Sequence, residues 1–562
     1  MSPCCNAALS KFFFFFLFFY LAVVAGVFNG GALVLEWELS EKLFVETSFC
    51  LVLDWISCLF SMSVLYISGC VCVFSGFYLS HDKFLEKFFV LLKLFVVSMV
   101  VLVLFPSYLG LMVGWDGLGV ISFLLVIYYL SSCSLSSGMI TVLSNRVGDV
   151  CFILAISLMS SSLSFGMWGE SFVSGFVLGI FLMMGSMTKS AQVPFSAWLP
   201  EAMSAPTPVS SLVHSSTLVT AGVYVLIRFS AYLSEFEMYM LSISSMVTML
   251  LAGSSACMES DLKKVVALST LSQVGMMMFA ISLGANVIAF FHLLVHAFFK
   301  ALMFMCMGGV IYYSGSCQDS RFLGGVWNKL PFTSCLFLFS NFSLMGFPFF
   351  SGFYSKELIV GAALSLNVGL MAVVLFFMCL AFTISYSFRT LNLVMQDMSV
   401  FSLKFYSMEN GYYLSSLLLM MNGAISTSLI MQSILKEFST VSFVNPSVFY
   451  SVLLLLVMFF FNLVLLFNCL SKKSFMSLTK NFLKSMWFLS IISGNFISSK
   501  LLMMISSYIV YVEMGWIRAF IGSKVINSIS MVFRNKIWEM NMNFFGVILF
   551  VFLSVFLILK VF

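Results

Sequence analysis

An all-α polytopic membrane protein, a helical bundle of about 15 spanning helices, is the fold class this sequence predicts. Three observations predict it. Of the 562 residues, 61% are hydrophobic and only 9% are charged, against roughly a quarter charged in a soluble domain. Mean hydropathy is +1.10. Uncharged apolar runs of ~18 residues or more, long enough to cross a bilayer, fill most of the chain. They lack the alternation of barrel strands, and in lipid only helices or closed barrels satisfy the backbone.

In order, the runs lie near 11–35, 48–78, 84–106, 108–131, 140–163, 171–188, 206–228, 239–258, 265–284, 287–314, 331–355, 358–388, 411–435, 447–471 and 543–560. The first begins just after Lys11 and has no small-residue cleavage site behind it, so it reads as a retained helix rather than a signal peptide. Connections stay short until about 472. The organisation expected is a transmembrane bundle over 1–471 with its core at about 48–390, a connecting segment with an amphipathic helix over 472–542, and a terminal anchor at 543–562. Over 500–540, Glu513, Arg518, Lys524, Arg534, Lys536 and Glu539 interleave with apolar residues, the pattern of a helix lying along the interface.

Two segments interrupt the apolar rhythm. Pro194, Pro200, Pro206 and Pro208 fall in one window just after Lys189, and Gly346, Pro348 and Gly352 precede Lys356. Proline removes a helix hydrogen bond and clashes with the preceding turn. Either window reads as ordinary kinks between spans or as a discontinuous helix lining a cavity, where freed carbonyls find partners.

Composition excludes several functions. The balance of 27 Lys and Arg against 22 Asp and Glu leaves +5 with no long basic run, which argues against nucleic acid. The 14 cysteines are scattered through apolar runs and read as buried thiols. No phosphate loop, dinucleotide fingerprint, nucleophile elbow or Fe–S spacing is present, so no redox centre or nucleotide site is expected in this chain. The 67 Phe and 40 Met are the bias a T-rich coding strand produces, as in organelle genomes.

The chemistry is expected at ionisable residues inside uncharged spans. Such a charge costs ~2.5–3.5 kcal/mol or more near the bilayer centre and marks an ion or proton route. Asp116 is alone between Lys93 and Arg146, and Lys189 is alone between Glu170 and Glu201. Lys300 follows 35 uncharged residues, and Lys356 with Glu357 follows another 26. Arg146 and Asp149, three apart, suit an ion pair on one helix face. A buried Lys189 coupled to Asp116 would change protonation with its partner or its hydration; a static pair fixing helix register is the alternative. His292, His296 and Lys300 repeat every fourth residue and so share one helix stripe. With His214 on another span, they read as a proton wire, as packed histidines, or more weakly as a metal site, which lacks a third ligand nearby. Ser215, Ser216 and Thr217 would hold water beside His214.

The segments GWDGLGVISFLL (114–125), NRVGD (145–149), TKSAQVPFSAWLPEAMSAPTPVSSLVHSSTLVTAG (188–222), HAFFKALMF (296–304), GFYSKELI (352–359) and EMGWIRAFIG (513–522) together resemble the NADH-ubiquinone oxidoreductase chain 5 family. The resemblance implies the distal antiporter-like, proton-translocating subunit of respiratory complex I, in the mitochondrial inner membrane. It implies that Asp116 stands at the family's acidic position, often Glu. By the same resemblance Lys189 is the pump lysine, His214 and Lys300 lie on the hydrophilic axis, and Lys356 is the terminal lysine. Asp149, His292, His296 and Glu357 would support them. NADH, FMN, Fe–S clusters and ubiquinone would belong to other subunits, leaving phospholipid or cardiolipin as the ligand this chain would bind. Partners implied are chains 4 and 2, reached through the lateral helix, supernumerary subunits and membrane lipids. A basic cluster at Lys472, Lys473, Lys480 and Lys484 would face the matrix and anionic lipid. In the family, the motif seen here as LDWIS (53–57) usually follows two helices; one run precedes it here, so a missing or shortened first helix is expected. An Mrp-type cation/proton antiporter subunit and a structural subunit without pumping are the alternatives.

Overall fold

The computed structural model describes residues 32–40, 47–161, 175–365, 369–395, 409–434, 476–489, 492, 498–517 and 531. The expected spans 447–471 and 543–560, most of 11–35, and the charges from Arg518 onward lie outside them. The chain forms two units, Met1–Ser490 and Ile491–Phe562.

The first unit opens on a hairpin of two antiparallel strands, β1 (Leu33–Ser40) and β2 (Thr47–Leu53), pairing Leu33 with Leu53 and Glu36 with Cys50. This corrects the expected run at 48–78. Cys50 and Val52 are buried while Phe49, Leu51 and Leu53 between them are only partly so, the two-residue alternation of a strand. The helix starts only at Trp55.

Helix α1 (Trp55–Tyr78) is set by LDWIS, where Ser57 Oγ accepts the Asp54 amide at 2.8 Å. The Asp54 carboxylate also receives Arg228 Nη1 at 2.7 Å. There follow α2 (Leu85–Leu104), α3 (Tyr108–Val126), α4 (Ser132–Ser161) and α5 (Gly175–Lys189). The proline window then breaks the helix. Short α6 (Trp198–Glu201) and one 3₁₀ turn lead to α7 (Thr207–Tyr232), which opens into a wide π turn over Ser210–Thr217. Next come α8 (Glu235–Ala256), α9 (Leu262–Ser282), α10 (Asn286–Tyr313) and short α11 (Val326–Lys329). The two runs expected over 331–388 are three helices instead: α12 (Pro331–Met345), α13 (Ser351–Ser365) and α14 (Leu370–Met395). Gly346 ends α12 in the left-handed region at φ +78°, a conformation glycine adopts without steric cost. The unit closes with α15 (Gly411–Ile434) and α16 (Met476–Lys484), the latter carrying Lys480 and Lys484 of the basic cluster.

Ten of the described helices are long and apolar enough to cross a membrane. Their exposure separates lipid-facing from interior elements. Helix α10 is buried almost end to end, whereas α4 exposes Leu143, Val147, Val150 and Ile153. A helix apolar all round belongs in the core, and one with an exposed apolar face meets lipid. Stacked rings tie α1 to its neighbours: Phe60 on Tyr224 and Phe77 on Tyr413, each with centroids 5.2 Å apart.

In the second unit, α17 (Ser498–Ile509) continues as a wide turn over Val510–Ile517. Its residues from Ser499 to Tyr511 are exposed.

Candidate functional site

Two helix breaks place the buried charges. Helix α5 stops at Lys189 because the segment after it carries Pro194 and no helix hydrogen-bond pattern. The lysine is 0% exposed. Its Nζ donates to the carbonyl of Trp115 at 2.6 Å and sits 3.7 Å from the centre of the Trp115 ring. Both contacts suit an ammonium out of water, through a carbonyl dipole and an aromatic face.

Trp115 in turn donates Nε1–H to Asp149 Oδ1 at 2.8 Å, and Arg146 Nη1 donates to Asp149 Oδ2 at 2.9 Å. Asp116 approaches the same guanidinium nitrogen, its Oδ1 3.6 Å from Arg146 Nη1. Lys189 and Asp116 form no direct ion pair among the described residues. Asp116 is half exposed and faces Arg146, while the better buried Asp149 connects to Lys189 through Trp115. The reason is register: consecutive residues point 100° apart on α3, so Trp115 faces Lys189 and Asp116 turns away.

The middle of the site is held by α7, α9 and α10. Trp198 Nε1 donates to the Thr188 carbonyl at 2.9 Å, and its ring centre is 6.3 Å from that of His214. Neither His214 ring nitrogen has a protein partner, although the residue is buried. The hydroxyls beside it turn back onto their own helix. Ser216 and Thr217 both donate to the Leu212 carbonyl at 2.8 Å, and Ser215 donates to that of Ser211. These side chains thus spend their hydrogens on the widened turn and keep their oxygen lone pairs as acceptors.

Lys300, 0% exposed, donates to Ser269 Oγ of α9 at 2.5 Å. One turn back on α10 is His296, whose ring nitrogens also find no hydrogen-bond partner among the described residues, and the next turn brings His292, with ring centres 6.2 Å apart. His292 Nε2 donates to Gln273 Oε1 at 3.3 Å, and its Nδ1 bonds Ser355 Oγ at 2.9 Å. Ser355 precedes Lys356, whose Nζ donates to the Leu344 carbonyl near the end of α12. That end carries the negative pole of the helix dipole, which favours a cation. Glu357 is half-buried beside this lysine and makes no described ion pair.

Of the nine residues singled out from sequence, His292, His296, Lys300 and Lys356 form one buried series with Ser269, Gln273 and Ser355. Lys189, Asp149 and Asp116 gather with Arg146 around Trp115. His214 stands against Trp198, and Glu357 follows Lys356 on α13. Sequence reasoning missed Trp115, Gln273 and Ser355. Gln273 carried a signal, as the one carboxamide in α9. It also missed Lys263, buried at the start of α9 with Nζ 3.4 Å from the Ala205 carbonyl. Among the described residues, no group of three or more His, Cys, Asp or Glu is placed to hold a metal.

Comparison with known proteins gives the family of the chain. Residues 105–383 match the family described as NADH:quinone oxidoreductase/Mrp antiporter, TM, and residues 44–89 match NADH-Ubiquinone oxidoreductase (complex I), chain 5 N-terminus. NADH-ubiquinone oxidoreductase chain 5 of Aedes aegypti is 45% identical over 365 residues, covering 63% of this chain and 62% of that one. The protein of the same name from Anopheles arabiensis is 46% identical over 336 residues, covering 58% of this chain and 86% of that one. The match spans 62% to 65% of the relatives from Aedes aegypti, Anopheles gambiae and Locusta migratoria. Among solved structures, the Mrp complex from Dietzia sp. DQ12-45-1b superposes with a TM-score of 0.69 at 24% identity, over 82% of this chain and 56% of that chain. An archaeal membrane-bound sulfane sulfur reductase superposes with a TM-score of 0.68 at 20% identity, over 78% and 93%. At such identities the likeness speaks for the fold. The sequence matches go further: this chain belongs to the NADH-ubiquinone oxidoreductase chain 5 family.

Proposed function

We propose that this chain is a core membrane-arm subunit of respiratory complex I in the mitochondrial inner membrane. It moves protons across that membrane while other subunits transfer electrons from NADH to ubiquinone. The observation that carries the proposal is the set of three buried lysines, Lys189, Lys300 and Lys356, each resting on a neutral oxygen rather than a carboxylate. An ammonium held only by a carbonyl or a hydroxyl loses little when its proton leaves, whereas one locked to a carboxylate loses a full ion pair. Each lysine can therefore load and unload.

Between them stand groups that pass protons. Imidazoles at His292 and His296 donate and accept, and Ser355 joins His292 to the turn before Lys356. The unpartnered rings of His214 and His296 need hydrogen-bond partners, which water supplies in a polar cavity. At the other end, Trp115 links Lys189 to Asp149, so a change in the Arg146–Asp149–Asp116 cluster reaches the lysine through one side chain. In this reading Asp116, Asp149 and Glu357 set the field, and the lysines and histidines carry the proton.

The partners are other subunits of the complex, in particular the antiporter-like chains 4 and 2, with supernumerary subunits and membrane lipid around them. The flavin, the Fe–S clusters, NADH and ubiquinone belong to those other subunits.

The test is Lys189→Gln in the assembled complex, with assembly checked by native gel. Proton transport per NADH oxidised should fall. Unchanged transport in an assembled variant would overturn the role and leave a structural subunit. The family match over 105–383 is shared with Mrp antiporters, which gives a second reading. Sodium-dependent transport by the purified chain's complex, with no flavin or Fe–S absorbance, would favour it.

A further inference from the structure

A cavity of about 340 Å³ opens where three spans end, outside the proton-carrying groups. Its walls include Tyr78 at the last position of α1, Tyr129 just beyond α3, Tyr312 at the end of α10, and Asp82 in the turn after α1. Exposed Gly315 and Ser316 form its rim. The volume lies at the lower end of the ~300–1,000 Å³ range of small-molecule sites.

The lining has one electrostatic sign. The rings of Tyr78 and Tyr312 both line the cavity, 5.9 Å apart and 49° from parallel, and are braced by Phe74 and Phe77 at 5.7 and 4.7 Å. Tyr129 adds a third ring. Aromatic faces are negative and attract cations, best of all those too apolar to hold water tightly. Asp82 supplies a formal negative charge and has no ion-pair partner among the described residues. A carboxylate among aromatic rings selects a positive group and rejects an anion.

We infer that this cavity is an aromatic cage for the quaternary ammonium of a zwitterionic phospholipid headgroup. Its location identifies the source. All three tyrosines mark helix ends, the depth at which interfacial aromatics meet headgroups. The neighbours of Asp82 in the chain, His81 and Lys83, are both exposed, and they supply the positive sign that a phosphodiester just outside the cage needs. An anionic lipid suits the basic residues of α16 but not this cavity.

The experiment extracts the complex into detergent from vesicles of equal parts phosphatidylcholine and phosphatidylglycerol, then counts the lipid retained per chain by mass spectrometry. Phosphatidylcholine should be retained over phosphatidylglycerol by about fivefold, the size expected for a partly exposed cation–π contact. Asp82→Asn and Tyr129→Leu should abolish the preference, Tyr129→Trp should keep it, and choline chloride should release the bound lipid. Equal retention of the two lipids, unchanged preference in both variants, or no release by choline would each overturn the assignment. So would a cross-link from position 82 to a lysine of a neighbouring subunit, which would make the cage a protein contact. Thermal unfolding of each variant distinguishes loss of the cage from loss of the fold.

Discussion

Replacing Gly346 tests how the break between α12 and α13 positions Lys356. At φ +78° an alanine sits in the left-handed region, which costs roughly 1–2 kcal/mol for an L side chain. The lower entropy of the unfolded chain offsets about 0.4–1 kcal/mol of that. The new Cβ would also lie 3.1 Å from Lys356 Cδ, so the lysine arm must give by a few tenths of an ångström. Gly346→Ala should therefore destabilise by about 1 kcal/mol, near a fivefold change in the folded ratio, and should disturb the contact of Lys356 with the Leu344 carbonyl. Gly346→Asn separates the two effects, because asparagine tolerates the left-handed turn but keeps the Cβ. The asparagine variant should recover much of the stability yet still slow proton transport. The buried thiols Cys58, Cys70, Cys72 and Cys306 provide the assay: their reaction with a fluorogenic maleimide during heating reports unfolding. If alanine unfolds within ~0.3 kcal/mol of wild type, the left-handed turn is not needed and the reasoning fails.

Asp54→Asn removes a charge-assisted bond to mostly buried Arg228 and should cost about 2–3 kcal/mol. A double-mutant cycle with Arg228→Met should show coupling of ~1 kcal/mol or more, and additive losses would refute the pair. Trp115→Phe keeps a ring over Lys189 but removes the N–H to Asp149. Proton transport should drop while assembly persists, and full transport would show that Asp149 acts without this link. Burial raises the pKa of Glu259, in the turn after α8, with Lys484 opposing. Its protonated form is therefore favoured in the folded state, and stability should decline as pH rises from the ordinary value of 4.5 through the raised one. Glu259→Gln should flatten that decline in a melting-temperature profile, and an unchanged slope would exclude the residue as its source.

Hydropathy made the spans legible, and the two interruptions were legible because proline and glycine leave visible marks. The break at Gly346 was therefore visible, but it falls inside the run expected at 331–355, so the division of 331–388 into three helices rather than two was not. The hairpin was hidden for a related reason: its strand at 47–53 is as apolar as the helix it precedes. The buried lysines stood out by type, but their partners did not. Lys189 rests on a peptide carbonyl of Trp115, and every residue carries that group, so nothing in the letters points to it. The neighbouring carboxylate of Asp116 was the visible candidate, and the geometry of α3 turned it aside.

Lys189, Lys263 and Lys356 each dock on a main-chain oxygen, at Trp115, Ala205 and Leu344. Codon changes leave those acceptors in place, so genetic screens are blind to that half of each contact, and tolerance at positions 205 and 344 would say nothing about its importance, whereas substitution at 115 also removes the ring over Lys189. Backbone engineering reaches what mutagenesis misses: an ester in place of the amide that follows residue 115 would weaken the acceptor by one atom while leaving every side chain intact.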